Sequence, residues 1–353
     1  MPLIDPSLGT NPSTYSALLT TTLENFQKRL VDNFSDATPL LWWLSSNGRK
    51  RHIAGGQSID IPLMYAGATV QPFSGYDDLL TEPTEGIAPA TFLYKKYQVP
   101  IVISKDSETD NMGESRIISL IEAKVKQAEI SFKEQLNNDF VNNGLAGTSG
   151  ETAYTRATAG TVDAVSVLGT ATPDALRATG LFDICQTSDQ ARVYGGISPT
   201  TYTWWANKYA DCGTTATGFA TNGVDRMRSL YLDCSRGQDT PDLILCSQTS
   251  YESYDSTLVD QKRYVNTMAA DAGFESLMYR ATTILFDRDV PAGVMFFLNS
   301  NYLELDVHPD VDMATIPFRE AERQWARFSR IMWKGELTCS NRARQGLLVN
   351  AVN

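Results

Sequence analysis

The most regular hydrophobic pattern in the chain lies between residues 114 and 144. Apolar residues recur there every three or four positions, and charged residues fill most of the positions between them. The apolar positions are Ile117, Ile121, Val125, Ala128, Phe132, Leu136 and Phe140. This spacing predicts one amphipathic helix, which Asn142, Asn143 and Gly144 would end. A helix of about 28 residues would be roughly 40 Å long, enough to span a domain.

Shorter patterns predict helices and strands that alternate along the rest of the chain. Further helices are predicted over residues 20–33, 174–186, 198–209, 226–233 and 251–258. Apolar runs bounded by polar residues predict buried strands over 242–246, 283–286 and 294–298. Because helices and strands are interleaved, the sequence indicates the α+β class.

Residues 48–98 have the pattern of a long β-hairpin. Alternating residues over 57–61 and 96–103 predict its two strands. Roughly thirty residues between them are rich in Gly, Pro, Thr and acidic side chains, and a loop of that length is usually disordered or functional. A hairpin with so little apolar content cannot form a core of its own, so the pattern points to a partner that covers it.

The segment at residues 39–44, PLLWWL, holds two adjacent tryptophans, Trp42 and Trp43. Their side chains must point to different sides of any helix or strand, so each needs its own cover. One interpretation places them in the core, and the other makes them anchors against a neighbouring subunit. The sequence leaves both alternatives open.

The segment over 318–333 is also ambiguous. Arg319, Arg323 and Arg327 are spaced as on one face of a helix, whereas residues 328–333 alternate as in a strand. Periodicity alone does not choose between helix and strand here.

Length, composition and charge exclude several classes of protein. The 353 residues suggest roughly two domains, and 42% hydrophobic with 20% charged residues is typical of folded globular proteins. No apolar run is long enough for a membrane span, and the first residues do not have the pattern of a signal peptide. Thirty basic and 41 acidic residues give a net charge of −11, which disfavours sequence-specific DNA binding. Five scattered cysteines without a CxxC pair indicate reduced thiols.

Candidate catalytic chemistry is sparse. The two histidines, His52 and His308, have no local nucleophile motif, and no phosphate-binding loop or zinc-ligand spacing occurs. Asp306, Asp310 and Asp312 could bind a hard cation, but they lack the EF-hand pattern, so a solvated loop is the preferred interpretation. The sequence therefore predicts no enzyme, no cofactor and no metal site.

An ordered series of short segments resembles the major capsid proteins of tailed bacteriophages, which share the Hong Kong 97-type fold. The order of the segments, rather than any one of them, carries the resemblance, and the series covers nearly the whole chain. Its members are PLLWWL (39–44), GG (55–56), PLMY (62–65), YD (76–77), VYGGIS (193–198), WW (204–205), PDLIL (241–245), RY (263–264), GF (273–274), VPAG (290–293) and FLN (297–299).

The resemblance implies an α+β fold with an N-terminal arm over 1–47 and an extended β-hairpin loop over 48–98. A peripheral domain would combine 99–144, with its long spine helix, and return strands from 301–353. An axial domain would occupy 145–300.

The resemblance also implies a function, the major coat protein of a tailed double-stranded DNA phage. Such proteins assemble as hexamers and pentamers into an icosahedral shell, so the expected partners are copies of the chain, portal, scaffolding and decoration proteins, and packaged DNA bound without sequence specificity. A virion location after assembly in the host cytoplasm, with no membrane partner, would follow. Candidate intersubunit contacts are Trp42, Trp43, Arg49, Lys50, Arg51, Tyr65, Phe73 and Tyr76. The alternatives are a tail or fibre subunit, and an enzyme whose site assembles in space.

Overall fold

Two β-sheets and a separate two-stranded hairpin organise the protein. The computed structural model describes residues 38–78, 85–110, 120–143, 175–187, 190, 192–213, 219–258, 277–280, 282–321 and 324–352. The helices are α1 (Pro39–Ser46), α2 (Lys105–Asp110), α3 (Leu120–Asn142), α4 (Leu181–Ile184), α5 (Val224–Cys234) and α6 (Gln248–Thr257). The strands are β1 (Lys50–His52), β2 (Ser58–Met64), β3 (Ile87–Leu93), β4 (Lys95–Ser104), β5 (Lys208–Asp211), β6 (Leu243–Cys246), β7 (Leu277–Tyr279), β8 (Thr282–Phe286), β9 (Met295–Leu298), β10 (Leu303–Val307), β11 (Ala314–Glu320), β12 (Ala326–Cys339) and β13 (Gly346–Val349). The predicted α+β class is confirmed, and the helix predicted over 20–33 lies outside the described residues.

The five-stranded sheet is built around β12, its longest strand. One edge of β12 pairs antiparallel with β4, from Ala326 opposite Ser104 to Gly335 opposite Lys95. The other edge pairs antiparallel with β10 and then β11, and β1 joins β10 in parallel. Among the described residues of 318–333, the ambiguous segment forms strands β11 and β12 and not a helix. Alternate side chains of β12 face opposite sides of the sheet, which accounts for the alternating sequence pattern.

The long helix α3 packs against one face of this sheet. Phe132, Leu136 and Phe140 are buried, and the Phe132 ring lies 6.2 Å from the ring of Tyr97 and 6.4 Å from that of Trp333. The helix has 23 described residues, which is roughly 35 Å at 1.5 Å per residue. It ends at Asn142 as predicted, and its predicted beginning lies outside the described residues.

The six-stranded sheet has the order β5-β13-β9-β6-β8-β7. Every residue of β6, β9 and β13 is buried, which explains the wholly apolar sequences of these strands. The strands predicted over 242–246, 283–286 and 294–298 are confirmed, as are the helices predicted over 226–233 and 251–258. Strand β13 belongs to this second sheet, so the segment 301–353 is divided between the two sheets.

The helix predicted over 174–186 is wrong except for the single turn of α4. Side chains from elsewhere take the backbone groups that such a helix would use. The amide N–H of Ala178 donates to the Tyr97 hydroxyl at 2.6 Å, and the Asn143 side chain donates to the Ala178 carbonyl at 2.6 Å. A Cβ on Gly180 would lie 2.3 Å from the Asn143 carbonyl oxygen. These contacts hold the segment against the end of α3 in a non-helical path.

The helix predicted over 198–209 is also wrong. Only Thr203–Trp205 forms a 3-10 turn, and the chain then enters β5, which pairs in parallel with β13. The Trp205 indole N–H donates to the Tyr194 carbonyl at 3.0 Å, and its ring is buried. Tertiary pairing has thus overridden the local helical pattern.

The two sheets share one hydrophobic core. It joins Leu305 and Leu337 of the five-stranded sheet to Leu245 and Phe296 of the six-stranded sheet, and buried residues of helix α1 belong to the same cluster. In the described part of the chain, no helix combines the length and apolar character that crossing a bilayer requires.

A buried carboxyl lies within this architecture at Glu336 of β12, which is 1% exposed. Its Oε1 accepts from the amide N–H of Thr179 at 2.6 Å and from that of Leu337 at 3.1 Å, while Oε2 has no hydrogen-bond partner among the residues that the structure describes. Burial is the main cause that raises the pKa of Glu336, to about 7.

Replacing Glu336 with glutamine should remove a pH dependence of stability. An unperturbed glutamate loses its proton near pH 4.5, whereas folded Glu336 keeps its proton to about pH 7. Between these values the folded state holds a proton that the unfolded state has lost, so the free energy of unfolding falls as pH rises. We expect wild type to lose about 2–3 kcal/mol relative to Glu336→Gln between pH 4.5 and 8, measured by urea unfolding.

The exposed Glu122 of α3 provides the control for this measurement, as Glu122→Gln. This variant should follow the wild-type pH profile. Parallel profiles for wild type and Glu336→Gln would contradict the prediction.

Candidate intersubunit surface

The predicted hairpin exists, but its return strand differs from the prediction. Strands β2 and β3 pair antiparallel from Ser58 opposite Leu93 to Met64 opposite Ile87. The predicted return strand over 96–103 instead belongs to β4, which pairs with β12. The hairpin therefore closes one strand earlier than the sequence suggested, and Tyr94 separates its last residue from β4.

One side of the hairpin is attached to the body of the protein. Ile59, Leu63 and Phe92 are buried, and the Phe92 ring lies 5.1 Å from that of Tyr194. Gly195 makes this contact possible, since it has a φ of +60° and a Cβ there would lie 3.0 Å from the Phe92 ring. The base of the hairpin is thus fixed by packing within its own chain.

Tyr65 closes the neck of the hairpin. Its ring stacks on Trp204 with a centroid distance of 5.2 Å and an interplanar angle of 13°. Its amide N–H donates to the Gly86 carbonyl at 2.9 Å, which extends the β2–β3 ladder by one pair. This predicted intersubunit contact therefore has a partner inside the chain.

Residues 66–85, hereafter the hairpin tip, follow the neck. Phe73 is 67% exposed and Tyr76 is fully exposed, and Val70 is 92% exposed. At the neck itself, Met64 and Ile87 also present most of their surface to solvent. Several exposed apolar side chains on one projecting element are typical of a surface that binds another protein. The positions predicted from sequence at Phe73 and Tyr76 are thus available for contact.

The basic run Arg49–Arg51 has partners within the chain. The Arg51 guanidinium donates from Nε to Asp306 Oδ1 at 2.8 Å, and this hydrogen bond is the main cause that raises the pKa of Arg51. Lys50 pairs with Asp312, and Arg49 donates to the side chain of Asn301. These charges attach the start of the hairpin segment to the five-stranded sheet, and intersubunit contact by them stays a prediction.

The acidic cluster near residue 306 differs from its predicted form. Asp306 is fully buried on β10, not in a solvated loop, and Asp312 is paired with Lys50. Among the described residues, no three His, Cys, Asp or Glu side chains are grouped as metal ligands.

The two adjacent tryptophans lie on α1 and differ in exposure. Trp43 is 6% exposed and belongs to the hydrophobic core, together with Leu40 and Leu44. Trp42 is half-buried against the same core. The core alternative therefore holds for Trp43, whose ring has little surface left to offer a neighbour.

The five cysteines are all reduced and buried. Burial raises the pKa of Cys234 and of Cys339 to about 12. These thiols are therefore protonated and shielded from solvent, which makes them unsuitable as nucleophiles.

A similar arrangement of elements occurs in solved capsid structures. A chain of the cyanophage A-1(L) capsid asymmetric unit has a TM-score of 0.60 at 16% identity, over 93% of this chain and 96% of that chain. A chain of the capsid of an empty GTA particle has a TM-score of 0.59 at 11% identity, over 97% of this chain and 99% of that chain. A chain of the bacteriophage PhiM1 mature capsid has a TM-score of 0.54 at 12% identity, over 93% of this chain and 91% of that chain.

The protein has the Hong Kong 97-type capsid fold. The resemblance seen in the ordered sequence segments is thus confirmed at the level of fold. No protein-family model matches the sequence, and no curated protein matches it. The likeness to capsid proteins therefore lies in the three-dimensional arrangement rather than in residue identity.

Sequence reasoning missed the contact that orients the extended loop of this capsid fold. Trp204 was predicted to lie on a helix, but it forms the platform on which Tyr65 stacks. Both residues belong to segments quoted for the resemblance, PLMY and WW, although their spacing of 139 positions gives no signal that they meet.

Replacing Tyr65 with alanine should loosen the neck of the extended loop. The stacking with Trp204 is worth on the order of 1 kcal/mol beyond the area it buries, so local opening of the hairpin should become about fivefold more frequent. We expect amide hydrogen exchange in β2 and β3 to accelerate by that factor, while exchange in α3 is unchanged.

Tyr76→Ala is the matched control, because Tyr76 is exposed on the tip and outside the neck. Its exchange in β2 and β3 should equal that of wild type. If amide exchange in β2 and β3 of the Tyr65→Ala protein equals that of wild type, the stacking does not hold the loop.

Proposed function

We propose that this protein is the major capsid protein of a tailed double-stranded DNA bacteriophage. In this role it assembles as hexamers and pentamers into an icosahedral shell that encloses the genome. The observation that carries the proposal is the fold, which aligns with capsid chains over more than nine tenths of both chains. A tail or fibre subunit is not favoured, since the matched chains come from capsids.

The exposed hairpin tip supports this role. Its apolar side chains, among them Phe73 and Tyr76, have no cover in the described part of the chain. In a shell, each tip would lie across a neighbouring subunit and gain partners there. Many such contacts per shell would add together, so that closure is cooperative although each contact is weak.

The proposal assigns a structural rather than an enzymatic role. We infer that α3 and the five-stranded sheet form the peripheral domain and that the six-stranded sheet forms the axial domain. The extended loop predicted over 48–98 would then be the β2–β3 hairpin with its tip, since the ends of that range lie in β1 and β4 of the five-stranded sheet, and residues 1–47 would include the N-terminal arm. Partners would be copies of the chain, portal and scaffolding proteins, decoration proteins, and DNA packaged without sequence-specific contacts. The protein would reside in the virion after assembly in the host cytoplasm.

Shortening the hairpin tests this function directly. Tyr65 and Gly86 are already a hydrogen-bonded pair, so replacing the hairpin tip with Asn-Gly leaves a two-residue turn that suits the ladder. We expect wild type to form hollow megadalton shells in sedimentation and negative-stain microscopy. The shortened protein should keep the wild-type circular dichroism and unfolding midpoint but sediment as small species.

A second variant, Phe73→Ser with Tyr76→Ser, keeps the tip at full length and removes only its apolar side chains. It should assemble at a concentration at least about tenfold higher than wild type, since two buried aromatic contacts are lost. Tubes or rods formed by the wild-type protein would contradict the capsid function. Normal shells from the shortened protein would contradict the role of the hairpin.

A further inference from the structure

The β2–β3 hairpin is joined to one sheet but packs on a segment that leads to the other. The chain enters the hairpin from β1 and leaves it through Tyr94 into β4, so both of its ends are connected to the five-stranded sheet. Its aromatic contacts are instead made with Tyr194 and Trp204, in the segment that leads into β5 of the six-stranded sheet. The direction of the hairpin therefore depends on contacts with a part of the chain to which it is not directly connected.

The surroundings of the hairpin leave room for its direction to vary. A cleft of about 210 Å³ is lined by Asp60 of β2 on one side and by Glu304 and Ser340 of the five-stranded sheet region on the other. Between β1 and β2, Gly55 and Gly56 both have a φ of +82°, and such connections can act as hinges. A hairpin with a hinge at its start and a cleft at its side needs a contact elsewhere that fixes its angle.

The tight turn at residues 194–197, hereafter the support turn, supplies that contact. Its first and last residues exchange two backbone hydrogen bonds of 3.1 Å. The carbonyl of Gly195 accepts a hydrogen bond from the amide N–H of Thr91 in β3 at 3.0 Å. The Tyr194 ring lies 5.1 Å from the ring of Phe92 in the same strand. A displacement of the support turn would therefore move β3 with it.

Arg342 contacts the support turn through the ring of Tyr194. It lies on the 3-10 turn Arg342–Arg344, which connects β12 of the five-stranded sheet to β13 of the six-stranded sheet. Its side chain is fully buried, and the guanidinium carbon lies 5.2 Å from the centre of the Tyr194 ring, a cation–π contact. Its Nε donates to the Ile184 carbonyl at 2.8 Å, and Nη2 donates to the Asp183 carbonyl at 3.2 Å. The guanidinium thus joins the support turn to the end of α4.

Hydrogen bonding alone does not account for an arginine at this position. Burial of a guanidinium is unfavourable unless its donors are satisfied, and Nη1 has no hydrogen-bond partner in the described part of the chain. An apolar side chain would fill the same volume without this cost, but it could not fix the orientation of a ring. Trp205 holds the backbone of the support turn, by donating to the Tyr194 carbonyl at 3.0 Å, whereas the planar guanidinium of Arg342 orients the Tyr194 ring.

We propose that Arg342 is the positioning residue for the β2–β3 hairpin. It holds the ring of Tyr194 against the end of α4, and the support turn then fixes the angle at which the hairpin leaves the protein. Because Arg342 lies on the connection between the two sheets, a change in their relative position would be passed on to the hairpin. The inference concerns a single copy of the chain, so its test is independent of the proposed capsid function.

The distance between two spin labels tests the angle of the hairpin directly. Cysteines introduced at the exposed Ile87 of β3 and the exposed Lys126 of α3 would carry the labels, since the native thiols are buried. Arg342→Met keeps a long side chain and removes the guanidinium. We expect it to broaden the distance distribution at least about twofold relative to the labelled protein with Arg342, because a desolvated cation–π contact is lost. A distribution of unchanged width would overturn the proposal.

Amide hydrogen exchange separates positioning from a general loss of stability. The amide of Thr91 donates to Gly195, so its exchange reports the contact between the hairpin and the support turn. We expect Arg342→Met to accelerate exchange at Thr91 at least about tenfold more than exchange in β6 and β9. Equal acceleration at Thr91 and in these two strands would show a merely structural role and overturn the proposal.

Arg342→Lys is the second variant, and it decides the question if Arg342→Met does not fold. Lysine keeps the positive charge but lacks the planar group that contacts the ring and both carbonyls together. We expect exchange at Thr91 to accelerate at least about threefold in this variant, with β6 and β9 unchanged. Exchange at the wild-type rate would contradict a positioning role of the guanidinium.

Arg344→Met is the matched control, because Arg344 lies on the same 3-10 turn and donates to the Cys234 carbonyl at 3.3 Å. It should leave the distance distribution and the exchange at Thr91 unchanged. Combining Arg342→Met with Tyr194→Leu should broaden the distribution no further than Tyr194→Leu alone, since Arg342 acts through that ring. Additive broadening, or an equal effect in the control, would overturn the proposal.

Discussion

Pairing of β12 along both of its edges is the interaction on which the rest of the structure depends. Ten residues of β12 pair with β4 on one edge, and β10 and β11 share the other edge. The side chain of Trp333 then meets Phe132 and Phe140 of α3, so the strand also holds the long helix. Because β10 accepts β1 as a further strand, β12 also fixes the point from which the hairpin leaves the sheet.

The elements that the sequence predicted well are those whose environment is uniform along their length. Helix α3 has one apolar face against one sheet, and β6 and β9 are buried on all sides, so simple periodicity describes them. The segment at 178–180 was mispredicted because its backbone is held by Tyr97, Asn143 and Glu336, which are distant in sequence. No local pattern records such contacts.

The candidate intersubunit surface divides in the same way into features that a local pattern predicts and features that depend on residues distant in sequence. Exposure of Phe73 and Tyr76 followed from the poor apolar content around them, which leaves no core to enter. The sequence could not show whether β3 or β4 is the return strand of the hairpin. Exposed and more buried positions alternate in both strands, and only Tyr94 separates them. The ion pair between Arg51 and Asp306 joins residues 255 positions apart, so a basic run that seemed available for a neighbour is engaged within the fold.

Burial of all five cysteines has a practical consequence for site-specific labelling. Thiol-directed reagents react with exposed thiolates, and the native thiols are shielded in the core. A single cysteine introduced at the exposed Tyr76 position would therefore give each copy one addressable thiol. A dye placed there would report the immediate surroundings of the hairpin tip, while the native thiols stay unlabelled in the core.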